Sequence, residues 1–88
     1  SAVGQHVLDI APANGLIVLR TSPGSAGVVA LELDRNPPEL VCGTVAGDDT
    51  VFVAISENAS PRRVAAELAW HLGLTPAHTQ PPADEVAS

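Results

Sequence analysis

Apolar residues fall in short runs separated by turn chemistry. Val7-Leu8-Asp9-Ile10 alternates loosely and reads as a strand. Pro12-Ala13-Asn14-Gly15 follows as a turn, and Asn-Gly is a strong short-range hairpin signal. Leu16-Ile17-Val18-Leu19 is a continuous apolar run and reads as a second strand. Thr21-Ser22-Pro23-Gly24 then has the chemistry of a helix start, with Ser22 as the capping residue and Pro23 in the first helical position. Ala26, Val29, Ala30 and Leu33 recur at helical spacing, which predicts a helix from about Gly24 to Arg35, stopped by Asn36-Pro37-Pro38. Leu40 to Ala46 and Thr50 to Ile55 predict two more strands, joined at Gly47-Asp48-Asp49 into a second hairpin. Ser60-Pro61 repeats the cap-then-proline start. Val64, Leu68 and Leu72 then form a helical stripe with Ala65 and Ala69 beside it, and Gly73 suits a helix C-terminus.

The predicted order is strand, strand, helix, strand, strand, helix. That order implies an α+β two-layer sandwich, ββαββα, with two helices on one face of a four-stranded sheet. Beyond this rough halving the chain shows no internal repeat. The strands Leu16–Leu19 and Val51–Ile55 are apolar at consecutive positions, so both faces of the sheet carry apolar side chains there. Two helices cover one face. The other needs a partner, and a second copy of the chain is the simplest one, so a homo-oligomer is expected.

Composition narrows the chemistry. Eighty-eight residues make one small domain with a modest core. Residues 1–74 are expected to carry the fold. Residues 75–88, Pro-rich and polar, read as a disordered tail. Apolar residues are 45% of the chain but aromatics only 2%, so the core must be built from Val, Leu, Ile and Ala. Ten acidic residues stand against four basic ones, and the net charge of −6 repels phosphate. Nucleic acid is thus a poor partner for this stretch by itself, and a cation is a reasonable one. A single cysteine, Cys42, excludes an intrachain disulfide. With no basic n-region at the start and no apolar run near the ~20 residues of a membrane span, the expected location is the cytoplasm.

The segment Gly43-Thr44-Val45-Ala46-Gly47-Asp48-Asp49-Thr50 holds small residues and two adjacent carboxylates at a hairpin tip. Glycine lets backbone approach a ligand closely. Paired carboxylates suit a guanidinium, which binds carboxylate through a planar two-bond fork. Taken alone, the plain turn reading is the stronger one, because Asp and Gly are ordinary turn residues. The segment is not a phosphate loop, since Gly-Lys-Ser/Thr is missing. The start of the first helix offers backbone N–H groups that could hold a ligand carboxylate, against the simpler reading of a strand-to-helix connection. His6, His71 and His78 lack metal-ligand spacing with Cys42 or with each other, so no metal is expected. Arg62 and Arg63 stand at an unfavourable end of the helix dipole and read as solvated or as pairing across a subunit boundary. Phe52 and Trp70 read as packing residues.

Thr21-Ser22-Pro23-Gly24, Leu33-Asp34 and Gly43-Thr44-Val45-Ala46-Gly47-Asp48-Asp49-Thr50, in that order and spacing, resemble the C-terminal domain of bacterial arginine repressors. Val7–Ile10 and Leu16–Leu19 look like that family's opening hairpin, and the resemblance runs from about Gln5 to Gly73. It reverses the preference for a plain turn. It implies a transcription regulator, not an enzyme, whose N-terminal winged helix-turn-helix reads operator DNA and is missing from this chain. It also implies trimers that pair face to face as a hexamer, with L-arginine bound between trimers as co-repressor. By resemblance Asp48 and Asp49 hold the guanidinium, Thr44 and Ala46 lie near the ligand, Asp34 contacts its α-amino end, and Ala26 sits beside it at the helix start. Many members carry Gln, His or Asn after the residue matching Ala26; here it is Gly27. Backbone or water would then hold the amino-acid end, or the affinity would be lower. Two rivals remain: an oligomerisation module with a lost or retuned site, and an enzyme using Asp48 and Asp49 as metal ligands or as an acid–base pair.

Overall fold

The computed structural model describes residues 2–74; the expected tail lies outside the described residues. A short 3-10 turn, Val3–His6, precedes β1 (Val7–Ala13) and β2 (Leu16–Thr21). Helix α1 (Ala26–Arg35), strands β3 (Val41–Ala46) and β4 (Thr50–Ile55), and helix α2 (Pro61–His71) complete the order. The four strands form one antiparallel sheet in the order β1-β2-β4-β3. Helix α1 packs over β3 and β4, and α2 over β1 and β2. The fold is the two-layer α+β sandwich that the order predicts.

Alternation decides which side chains meet the helices. Strand β2 turns Ile17, Leu19 and Thr21 inward, and β4 turns Val51 and Val53 inward. Against them lie Val29, Ala30 and Leu33 of α1, and Val64, Ala65, Leu68 and Ala69 of α2, with Leu72 following. Fully burying one such Val or Leu contributes about 1.5–3 kcal/mol. The β1–β2 turn has positive φ at both central residues, Asn14 (48°) and Gly15 (87°), the requirement of a type I′ hairpin.

Three boundaries differ from the sequence expectation. Strand β1 continues through Pro12, which pairs with Ile17; β1 is an edge strand, where a missing N–H is tolerated. Strand β3 starts at Val41 rather than Leu40. Helix α1 starts at Ala26 rather than near Gly24, and Ser22 and Pro23 do not cap it. Instead Ser25 N–H donates to the Ser22 carbonyl at 3.1 Å, with Pro23 and a left-handed Gly24 (φ 79°) between them. Pro then Gly at the two central positions is the signature of a type II turn. The 3-10 turn was not expected either. Gly4 is buried there, so close to the Leu72 carbonyl that an added Cβ would collide with it.

The second sheet face is uncovered among the described residues. Ala11, Val18, Phe52 and Val45 form one row across four strands, and Ala13, Leu16, Ala54 and Gly43 form the next. Val45 is 71% exposed and Phe52 47%. Phe52 is therefore not a core residue of the single chain. Neither is Trp70, which falls on the side of α2 away from its buried stripe and is 86% exposed. No helix among the described residues is long and apolar enough to cross a membrane.

Candidate functional site

The β3–β4 tip is tied to the start of α1. Gly47 N–H donates to the Thr50 carbonyl at 2.8 Å, which closes the tip. Thr21 N–H donates to the Asp49 carbonyl at 2.8 Å, and Ala26 N–H to the Asp48 carbonyl at 3.2 Å. Gly24 N–H donates to Asp48 Oδ2 at 3.2 Å. The two aspartates therefore lie against the first turn of α1, where the helix dipole favours negative charge. These bonds also use up N–H groups that could have held a ligand carboxylate. Asp48 consumes two of them itself.

The two carboxylates differ in what they have left to offer. Asp49 Oδ1 accepts from the Thr50 hydroxyl at 3.0 Å, and its Oδ2 lies 3.5 Å from Nη2 of Arg20. Asp48 uses Oδ2 for Gly24, and no other described residue bonds to its Oδ1. A guanidinium is thus already seated on Asp49, and an acceptor oxygen stands open on Asp48. Beside them a shallow depression of about 250 Å³, lined by Val45, Ala46, Gly47, Thr50 and Phe52, opens onto the uncovered sheet face.

The residues singled out from sequence fall into two groups. Asp48, Asp49 and Ala26 meet at the tip, and Ala46 ends β3 beside it. Asp34 and Thr44 form the second group: the Thr44 hydroxyl donates to Asp34 Oδ1 at 2.9 Å and ties α1 to β3. Asp34 is eight residues past Ala26, roughly 12 Å further along the helix. One chain therefore does not gather all six at one point. Gly27 is exposed near the start of α1, and an added Cβ there would meet nothing within 4 Å. A side chain at that position would fit without displacing any neighbour.

Sequence reasoning passed over Arg20. The signal was present: with Ile17, Leu19 and Thr21 inward, Arg20 must project onto the open face, and its register partner Thr50 adjoins Asp49. Arg63 pairs within its own helix, Nε to Glu67 Oε1 at 3.7 Å. Among the described residues no group of three or more His, Cys, Asp or Glu side chains could hold a metal ion; His78 lies outside them.

Comparison with known proteins places the chain in a family. Residues 3–69 match a family model described as the arginine repressor, C-terminal domain. The chain is 49% identical over 67 residues to the arginine repressor of Anaeromyxobacter sp. (strain K), covering 76% of this chain and 42% of that protein. It is 41% identical over 71 residues to the arginine repressor of Solibacter usitatus (strain Ellin6076), covering 81% and 47%. Against that of Thermotoga petrophila (strain ATCC BAA-488 / DSM 13995 / JCM 10881 / RKU-1) it is 40% identical over 62 residues, covering 70% and 41%. The matched stretch spans less than half the length of each of these relatives.

Proposed function

The chain belongs to the arginine repressor family through its C-terminal domain, and from that premise we propose that it is the ligand-sensing and self-assembling part of a regulator of arginine metabolism. It binds L-arginine through Asp48 and Asp49 at boundaries between copies, and the ligand favours pairing of trimers into a hexamer. Contact with operator DNA falls to the part of the whole cytoplasmic protein that this chain does not cover. The observation that carries the reading is the acidic tip, with a guanidinium already 3.5 Å from Asp49 Oδ2.

The chemistry follows from charge and geometry. Arginine at neutral pH carries net charge of about +1, and its planar fork suits carboxylate oxygens. Because Asp34 and Thr44 stand well away from the tip on one chain, an arginine that reaches both groups takes them from different copies. Val45 and Phe52, exposed beside the tip, supply apolar surface for the same contact between copies. Ligand bound only in the assembled state stabilises it by about 2.7 kcal/mol per site at 100 times the dissociation constant. Several sites acting together then shift assembly strongly.

Calorimetric titration with L-arginine tests the reading, with the uncharged analogue L-citrulline as control. Saturation near one arginine per chain, with little heat from citrulline, is expected. Sedimentation is expected to show larger particles with arginine present; the same particle size with and without it would overturn ligand-driven assembly. The missing side chain at Gly27 favours one second reading, an assembly module whose amino-acid site has been lost. In that case arginine gives no heat while the oligomer persists.

A further inference from the structure

The outer side of α2 is an apolar strip with cations at one end. Trp70 is 86% exposed there, the most exposed large apolar side chain among the described residues. Ala66, also exposed, lies one turn before it, and Arg62 and Arg63 lie two turns before it. Those two arginines are half of the chain's four basic residues, and the first turn of α2 holds no acidic residue. That is the wrong sign for the positive end of the helix dipole, which favours carboxylates. Arg63 reaches Glu67 only at 3.7 Å, with its own side chain 78% exposed. Beside the same end of α2 a depression of about 340 Å³ lies between the β1–β2 turn and Ser60, Pro61 and Arg62.

The chain that follows α2 has the complementary chemistry and the reach. Gly73 is left-handed (φ 73°), and Leu74 N–H donates to the Ala69 carbonyl at 2.8 Å, which closes the helix end and turns the chain off its axis. Residues 75–88 come next, beyond the residues 3–69 that match the family model. They carry Pro76, Pro81 and Pro82, then Asp84 and Glu85, and no Lys or Arg. Four residues, 75–78, are enough for a reversal of direction. From the level of Gly73 back to Arg63 is about 15 Å along the helix, and five residues of polyproline conformation span about the same length. Counted back from Thr79, Pro81 and Pro82 fall at the level of Trp70 and Ala66, and Asp84 at that of Arg63.

We propose that residues 79–85 dock back along the outer side of α2, with Pro81 and Pro82 on Trp70 and Ala66, and Asp84 and Glu85 beside Arg62 and Arg63. Proline segments suit an aromatic surface because their φ is already fixed and little order remains to be imposed. The tether holds the segment at high local concentration, so weak contacts suffice. Docking covers the most exposed apolar side chain and brings the start of α2 the negative charge it lacks. It stands apart from the arginine reading and does not depend on it.

Trp70 is the sole Trp and the chain has no Tyr, so its emission reports on this strip alone. The test is acrylamide quenching of the whole chain and of two double variants, Asp84→Asn with Glu85→Gln and Pro81→Gly with Pro82→Gly, at low and high salt. All four positions lie outside the described residues, so the helices and the sheet keep their sequence. The parent is expected to emit further to the blue and to be quenched less than either variant, at every protein concentration. Removing both acidic charges should lower the ratio of docked to undocked chain about 2- to 5-fold, the range that exposed ion pairs supply. High salt should act on the parent in the same direction. Equal emission and quenching in all three proteins overturns the docking. Protection of Trp70 that survives in both variants and falls on dilution assigns the strip to a second copy of the chain, and overturns it as well.

Discussion

Ser60 and Ser22 each precede a proline and then a helix, and the two helices begin differently. Ser60 is extended, its hydroxyl accepts from Arg63 N–H at 3.3 Å, and Pro61 opens α2. Ser22 caps nothing. Its hydroxyl meets that of Ser25 at 2.9 Å, Pro23 and Gly24 form a turn, and α1 begins after Ser25 without a side-chain cap. What differs is a partner far along the chain. At α2 the acceptors are local: Ser60 Oγ takes Arg63 N–H and the Ser60 carbonyl takes Val64 N–H. At α1 the Asp48 carboxylate and carbonyl, 24 and 22 residues from Gly24 and Ala26, take those N–H groups instead. A local capping signal prevails where nothing competes and yields where a distant carboxylate does. The start that yields is the one at the candidate site.

That contrast can be broken at Asp48. Asp48→Ala removes the acceptor for Gly24 and the open oxygen beside Asp49. Arginine affinity is expected to fall about 10- to 100-fold, the scale of a lost charge-assisted interaction, measured by calorimetry. Affinity equal to the parent's would reduce Asp48 to a clamp for the turn. A smaller effect is expected from Gly24→Ala. Its φ of 79° suits an L-residue poorly, and an added Cβ meets nothing within 4 Å, so the cost is in the backbone alone. A loss of about 1–2 kcal/mol is expected, read as a lower urea midpoint at unchanged slope. Unchanged stability would mean that the turn tolerates another conformation. The smallest effects sharpen the comparison itself: Ser60→Ala should cost about 1 kcal/mol as a lost cap, and Ser22→Ala less than about 0.5 kcal/mol. Equal losses would show that the two serines do equivalent work despite their geometry.

Most of the fold was legible because its signals are local. The apolar runs of β2 and β4, the Asn14-Gly15 turn, the Ser60 cap and the stripe Val64, Leu68, Leu72 each follow from near neighbours. The 3-10 turn escaped because Gly4 packs against Leu72, at the far end of the described chain. The start of α1 escaped for the same kind of reason, since Asp48 decides it. At the site, the acidic pair could be read from composition at the tip. The engagement of Asp49 by Arg20 depends on the β2–β4 register, which a linear reading supplies only once the pairing is assumed.

The sheet order has a kinetic consequence. Each ββα half closes its own hairpin, an event of about 1–10 μs, whereas β2 must find β4, with Arg20 opposite Thr50 thirty positions on. From loop length alone, the β2–β4 seam is expected to close after the two hairpins. Thr21 N–H to the Asp49 carbonyl fastens one end of the seam. A ligand that binds only the folded state lowers every opening that exposes the seam, so amide hydrogens along Leu16–Thr21 should exchange more slowly when arginine is bound.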